Sequence, residues 1–185
     1  MRLFLAVEVV EDIRRKIGEV INEIKELNAD VKFTKIENLH YTLKFLGEVY
    51  EQHVNGIEKI IIDTIRNKPI KPFDLSIQGF GFFGNSSHIR AIWIDSEQGH
   101  EELVKLAKAM NEALNHIRRD DREPKPHLTV GRVRSDKNNE KLLEKIKLLT
   151  NVKFGYMHVK QIKLKQSVLS TEGPYYTDLK AFELA

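Results

Sequence analysis

The chain has 185 residues, 41% hydrophobic and 31% charged, which supports a buried core under a charged surface and excludes a disordered composition. There is no Cys, so disulfides and thiolate metal sites are excluded. Lys and Arg number 30 against 27 Asp and Glu, and the net charge of +3 is too modest for a protein that coats long nucleic acid. No segment approaches the roughly 18 apolar residues of a membrane span. The N-terminus lacks the apolar h-region and cleavage site of a signal peptide, so the expected location is the cytoplasm.

In chain order, "RLFLAVEV" reads as a buried strand. Residues 11–27 space Ile13, Ile17, Val20, Ile21, Ile24 and Leu27 as an amphipathic helix. "HYTLKFLGEV" reads as a strand. Residues 52–67 form a second helix through Ile57, Ile60, Ile61 and Ile65, closed by Pro69 and Pro72. "FDLSIQGFGFF" alternates as a strand, the Gly-Asn-Ser-Ser run at 84–87 is a turn, and "IRAIWID" is the next strand. Residues 100–117 are a helix with Leu103, Leu106, Ala107, Met110 and Leu114 on one face. "HLTVGRV" is a strand, and "NNEKLLEKIKLL" is a helix with Asn138 or Asn139 as its N-cap. "VKQIKLKQSVLS" is a strand, "TEGPY" a turn and "YTDLKAFEL" a final strand.

Residues 2–84 therefore run strand, helix, His-strand, helix, strand, and residues 90–169 repeat that order. A duplicated order with one shared motif predicts residues 1–185 as a single domain of two similar lobes. Helices between strands also fit a parallel α/β sheet, so order alone leaves the topology open.

The shared motif is His-x-Thr-aliphatic, at His40 and again 87 residues on at His127. Residues i and i+2 of a strand share a face, so each strand would show one imidazole and one hydroxyl while Tyr41 and Leu43, or Leu128 and Val130, bury. A single such stretch is ordinarily just a strand, because Thr and aromatics favour strands anyway. Two at matching places suggest two halves of one site. Imidazoles transfer protons near neutrality, and two across a cleft can serve as acid and base. Thr42 and Thr129 can donate to the non-bridging oxygens of a phosphate. This set suits phosphoester cleavage without a metal. No H-E-x-x-H, C-x-x-C or G-x-S-x-G motif supports a metalloenzyme or a serine nucleophile. His53, His88, His100, His116 and His158 fall at helix ends, a turn and a strand edge, where surface or capping roles are expected.

The paired "HYTL" and "HLTV" resemble the two H-x-T-x motifs of the 2H phosphoesterases, and in particular the RNA 2′,3′-cyclic phosphodiesterases, also called 2′-5′ RNA ligases. The resemblance extends through "RLFLAVE", "GFGFFG", "RAIWID", "KPHLTVGRV" and "QSVLSTEGPYYTDLKAFEL". It implies an α+β bilobal fold, with two antiparallel sheets facing a central cleft and helices outside. It implies hydrolysis of a terminal ribose 2′,3′-cyclic phosphate to a 2′-phosphate, with RNA ends or nucleotides as partners, no metal or other cofactor, and a monomer away from membranes. By motif position His40 would be the general acid, His127 the general base, and Thr42 and Thr129 the phosphate ligands. Phe45 would lie against the nucleobase and Arg132 would reach the phosphate. Each lies five residues after its His, which on a regular strand is the wrong face, so Gly47 and Gly131 are expected to mark a bulge or strand end. Joining of RNA ends in the same cleft, or an idle module that only holds RNA ends, are the alternatives.

Overall fold

The computed structural model describes residues 1–68, 70–171 and 173–185. Strand β1 (Arg2–Glu8) is almost wholly buried, and it pairs antiparallel with β3 (His40–Glu48) on one side and β8 (Gln161–Ser170) on the other. β9 (Gly173–Glu183) completes this group as a hairpin partner of β8. In the second group β5 (His88–Asp95) lies between β6 (Leu128–Val133) and β4 (Phe73–Asn85), with β7 (Lys153–Val159) outside β4. A short β2 (Val31–Phe33) also pairs with β6. Every pairing is antiparallel, which decides against the parallel sheet that element order left open. The curled sheet runs β7-β4-β5-β6-β3-β1-β8-β9, so its two groups meet where β6 touches β3.

Helices α1 (Glu11–Lys25), α2 (Val54–Asn67), α3 (His100–Ala113) and α4 (Asn139–Leu148) fall on the expected segments and bury the expected stripes. α1 turns Ile13, Ile17, Ile21 and Ile24 inward, and α2 turns Ile57, Ile61 and Ile65. Each such fully buried side chain contributes about 1.5–3 kcal/mol relative to exposure. α3 packs on β3 and on α2, whereas α4 packs on β4 and β5. The described residues contain no helix long and apolar enough to cross a membrane.

Some local expectations are corrected. The helices end earlier, at Lys25 and Ala113, because the last apolar residues sit in irregular turns. Asn138 holds the N-cap position of α4 as expected, with φ 54°, but its side chain makes no capping hydrogen bond and its amide donates instead to the carbonyls of Leu27 and Asn28. Asn139 is the first helical residue, and its amide donates to the Ser86 carbonyl. The turn between β4 and β5 narrows to Ser86-Ser87, with the Asn85 carboxamide oxygen accepting from both Ser87 N and His88 N. Pro69 lies outside the described residues; α2 ends at Asn67.

The larger correction is at residues 153–170, where one strand from Val159 was expected. Two strands occur, β7 and β8, and it is β7 that follows α4. The β4–β7 register jumps from Ile77–Gly155 to Gln78–Lys153, so Phe154 is a bulge that breaks the alternation. β2, only three residues long, carries too little pattern to detect. The closing strand of the first half, β4, also pairs with β5 rather than with β3, so contiguous halves of the sequence are not the strand groups.

Tyr41 is fully buried, and its hydroxyl has no hydrogen-bond partner among the described residues. Burial, with the Asp95 carboxylate adding to it, holds that phenol well above its usual pKa. Tyr41→Phe removes an unsatisfied buried polar atom while keeping the ring, so stability to urea should rise by about 1 kcal/mol. A loss of similar size in a denaturation curve would show that the hydroxyl is in fact satisfied.

Candidate active site

β3 and β6 meet through one residue pair, Tyr41 with Leu128, each the residue directly after a motif histidine. Both are 0% exposed. With those two side chains sunk into the core, the flanking His40, Thr42, His127 and Thr129 stand on the opposite side and line one cavity of about 460 Å³. Phe45 and Arg132 line it too, so all six residues expected from the sequence are brought together.

Phe45 and Arg132 reach the cavity through matching irregularities. On β3, Ala6 pairs with Thr42 but Leu5 pairs with Lys44, leaving Leu43 as an extra residue. On β6, Trp93 pairs with Thr129 but Ile92 pairs with Gly131, leaving Val130 extra. Each bulge follows the motif threonine and flips the parity of the strand, so the fifth residue after each His rejoins the face of its His and Thr. Burial records this directly: Leu43 and Lys44 are both buried, as are Val130 and Gly131, while Phe45 is 50% exposed and not core. These two bulges fall just before the glycines expected to mark them, and β3 has a second register shift at Gly47 itself, where Phe4 pairs with Phe45 and Leu3 with Gly47. Gly131 has another function, because a Cβ there would lie 2.7 Å from Val31 Cγ1, and its absence lets β2 pack against β6.

Both imidazoles are oriented the same way. His40 Nδ1 lies 2.6 Å from the Asn38 carbonyl, and His127 Nδ1 lies 2.8 Å from the Lys125 carbonyl, each two residues upstream. A carbonyl only accepts, so Nδ1 carries the hydrogen in both rings and Nε2 is left for the cavity. His40 Nε2 is 3.0 Å from Thr42 Oγ1. The His127 ring meets the edge of Phe83, with centroids 4.9 Å apart.

His40 is enclosed by rings that sequence reading did not single out. Phe4 stands 5.0 Å and Tyr176 5.4 Å from it, centroid to centroid, and Phe4 also touches Phe45 at 5.8 Å. This burial pushes the His40 imidazole below its ordinary 6.5; the Asn38 carbonyl opposes the shift, Lys165 adds to it and Glu8 opposes it. Glu8 pairs with His40 across the sheet and joins Lys163, Lys165 and Asp178 in a cluster of four charges. The alternation of β1 and β8 points these residues to one face, but only their cross-strand neighbours reveal that they pair. Lys32 and Arg132 line the cavity with no carboxylate partner among the described residues, which gives it a positive wall. Thr34 Oγ1 donates to the Thr129 carbonyl, and Asn38 Nδ2 donates to the Pro174 carbonyl, closing the rim.

A cavity of this kind, with two oriented imidazoles, two hydroxyls and a guanidinium, has the functional groups of a phosphoesterase. The sequence profile of the 2′-5′ RNA ligase superfamily matches residues 11–166, and the chain belongs to that family. It is 40% identical to the RNA 2′,3′-cyclic phosphodiesterase of Methanothermobacter thermautotrophicus, over 100% of this chain and 99% of that one. It is 39% identical to the protein of the same name from Archaeoglobus fulgidus, over 99% of this chain and 100% of that one. A Thermus thermophilus crystal structure superposes with a TM-score of 0.80 at 26% identity, covering 100% of this chain and 98% of that one.

In an NMR titration the His40 ring should have its midpoint below 6.5. Lys165→Met removes a neighbouring cation while Glu8 and Asp178 stay, so the midpoint should move upward. A wild-type midpoint at or above 6.5 would show that enclosure by Phe4 and Tyr176 does not govern the ring.

Proposed function

We propose that the protein is a metal-independent RNA 2′,3′-cyclic phosphodiesterase that opens a terminal cyclic phosphate to a 2′-phosphomonoester. The observation that carries this reading is the matched pair of imidazoles, each with Nδ1–H tied to a main-chain carbonyl and Nε2 left for one cavity. In the proposed step His127 Nε2 takes a proton from water as its oxygen attacks phosphorus. The P–O3′ bond breaks, and O3′ takes the proton held on His40 Nε2. The products are a 2′-phosphate and a free 3′-hydroxyl, and the two histidines have exchanged protonation states. Thr42 and Thr129 donate to the non-bridging oxygens, Arg132 supplies charge to the phosphate as it forms, and Phe45 offers a face to the base. The two strand groups act in this reading as two lobes that each bring one motif. Preorganised donors and paired acid–base groups are expected to contribute about 10²–10⁴-fold each.

His40 must be protonated to act as the acid, yet burial favours its neutral form in the free protein. Bound phosphodiester, an anion beside the ring, favours the charged form. The high-pH limb of kcat/KM, which reports the free protein, should therefore lie at lower pH than the limb of kcat, which reports the complex. Equal limbs would remove the electrostatic link between His40 and the phosphate. The deciding experiment incubates the protein with a 2′,3′-cyclic nucleotide in excess EDTA and identifies the product. A 2′-phosphate is expected, with turnover falling at least about 10²-fold in His40→Ala and in His127→Ala. A 3′-phosphate, loss of turnover on chelation, or full turnover in His127→Ala would each overturn the mechanism.

A further inference from the structure

The proposed step leaves one polar group beside His40 without a task, the hydroxyl of Tyr176. Tyr176 lines the cavity, yet it comes from β9, three strands away from β3 in the order β3-β1-β8-β9. On a flat sheet three strand spacings are about 14 Å. The curl of the sheet closes that gap, and the Tyr176 ring stands 5.4 Å from His40 and 4.9 Å from Phe4, steeply inclined to both. The hairpin is held in this position through Asn38. Its amide donates to the Pro174 carbonyl at 2.8 Å, while its own carbonyl accepts from His40 Nδ1 at 2.6 Å. One residue thus fixes both the imidazole and the strand that brings Tyr176 over it.

Two neighbouring side chains on the rim already spend their donors on the main chain, Thr34 on the Thr129 carbonyl and Asn38 on the Pro174 carbonyl. The Tyr176 hydroxyl has no hydrogen-bond partner among the described residues, and its oxygen is not sealed in the core as that of Tyr41 is. Burial pushes the phenol up, which keeps its proton in place near neutrality. The charges that oppose this are the guanidiniums of Arg132 and Arg2, rather than the cluster of Glu8, Lys163, Lys165 and Asp178. The oxygen therefore lies toward Arg132, across the cavity on β6. We propose that the Tyr176 hydroxyl is a phosphate-binding donor, which holds from β9 a non-bridging oxygen of the phosphate that Arg132 holds from β6. The proposal rests on the reading of the cavity given above. The phosphate gains negative charge as the cyclic diester opens to a monoester, so a bond to its oxygen strengthens along the reaction. Such a bond serves kcat more than substrate binding.

Tyr176→Phe keeps the ring and deletes only the oxygen. Its kcat on a 2′,3′-cyclic nucleotide should fall roughly 10–100-fold, with a smaller change in KM. Its affinity for adenosine 2′-phosphate, measured by calorimetry, should fall by about tenfold or more. The NMR midpoint of His40 in the free protein should stay at its wild-type value, because the ring still encloses the imidazole. Tyr176→4-aminophenylalanine returns an N–H donor to the same place and should recover most of both losses. Wild-type kcat and affinity in Tyr176→Phe, a loss that the amino variant does not restore, a displaced His40 midpoint, or no binding of adenosine 2′-phosphate by the wild type would each overturn the proposal. The two readings fail separately. Binding of the 2′-phosphate that depends on Tyr176 without turnover of the cyclic ester would remove the reaction and leave the donor in place. Equal turnover in the wild type and in Tyr176→Phe would do the reverse.

Discussion

The pairing of Tyr41 with Leu128 is the constraint on which the site depends. Two strands from distant parts of the chain touch at one rung, and that rung is the residue next to each histidine. Burying an aromatic and an aliphatic side chain at the seam leaves the two imidazoles and two hydroxyls on the far side with nowhere else to face. The cavity is thus a by-product of core formation, and the hydrophobic effect that closes the seam also brings the two imidazoles together.

A second constraint acts along each strand. A regular strand that presents His and Thr to a cavity must bury the fifth residue, and the chain avoids this with one extra residue in the same place on β3 and β6. The consequence on β3 is a lysine in the core, because Lys44 inherits an inward position. Burial lowers its affinity for a proton, and it is held by a carbonyl and a carboxamide rather than by a carboxylate. A position that looks unfavourable in isolation ties the 114–127 segment to the sheet.

Much of this was legible in the sequence, and the reasons are specific. The isoleucine stripes of α1 and α2 gave their faces because periodicity is a local property. The repeated His-x-Thr pointed to one shared cavity because two rare coincidences at matching places outweigh one. What stayed hidden was non-local. Phe4 and Tyr176 enclose His40 from β1 and β9, and nothing near either residue points to a histidine elsewhere in the chain. β7 was missed because the bulge at Phe154 destroys the alternation that identifies a strand. The exchange of β4 and β8 between the halves is a matter of which edges pair, on which element order is silent.

A seam one rung wide behaves mechanically like the pin of a caliper. Few ladder hydrogen bonds fix the angle between the two strand groups, so the gap between the jaws is set by what braces them from behind. That bracing includes the packing of α3 on β3 and α2, and of β2 along β6. The distance between the two imidazoles is therefore set in part by that bracing. Residues where α3 packs on β3 and α2, outside the cavity, bear on its width.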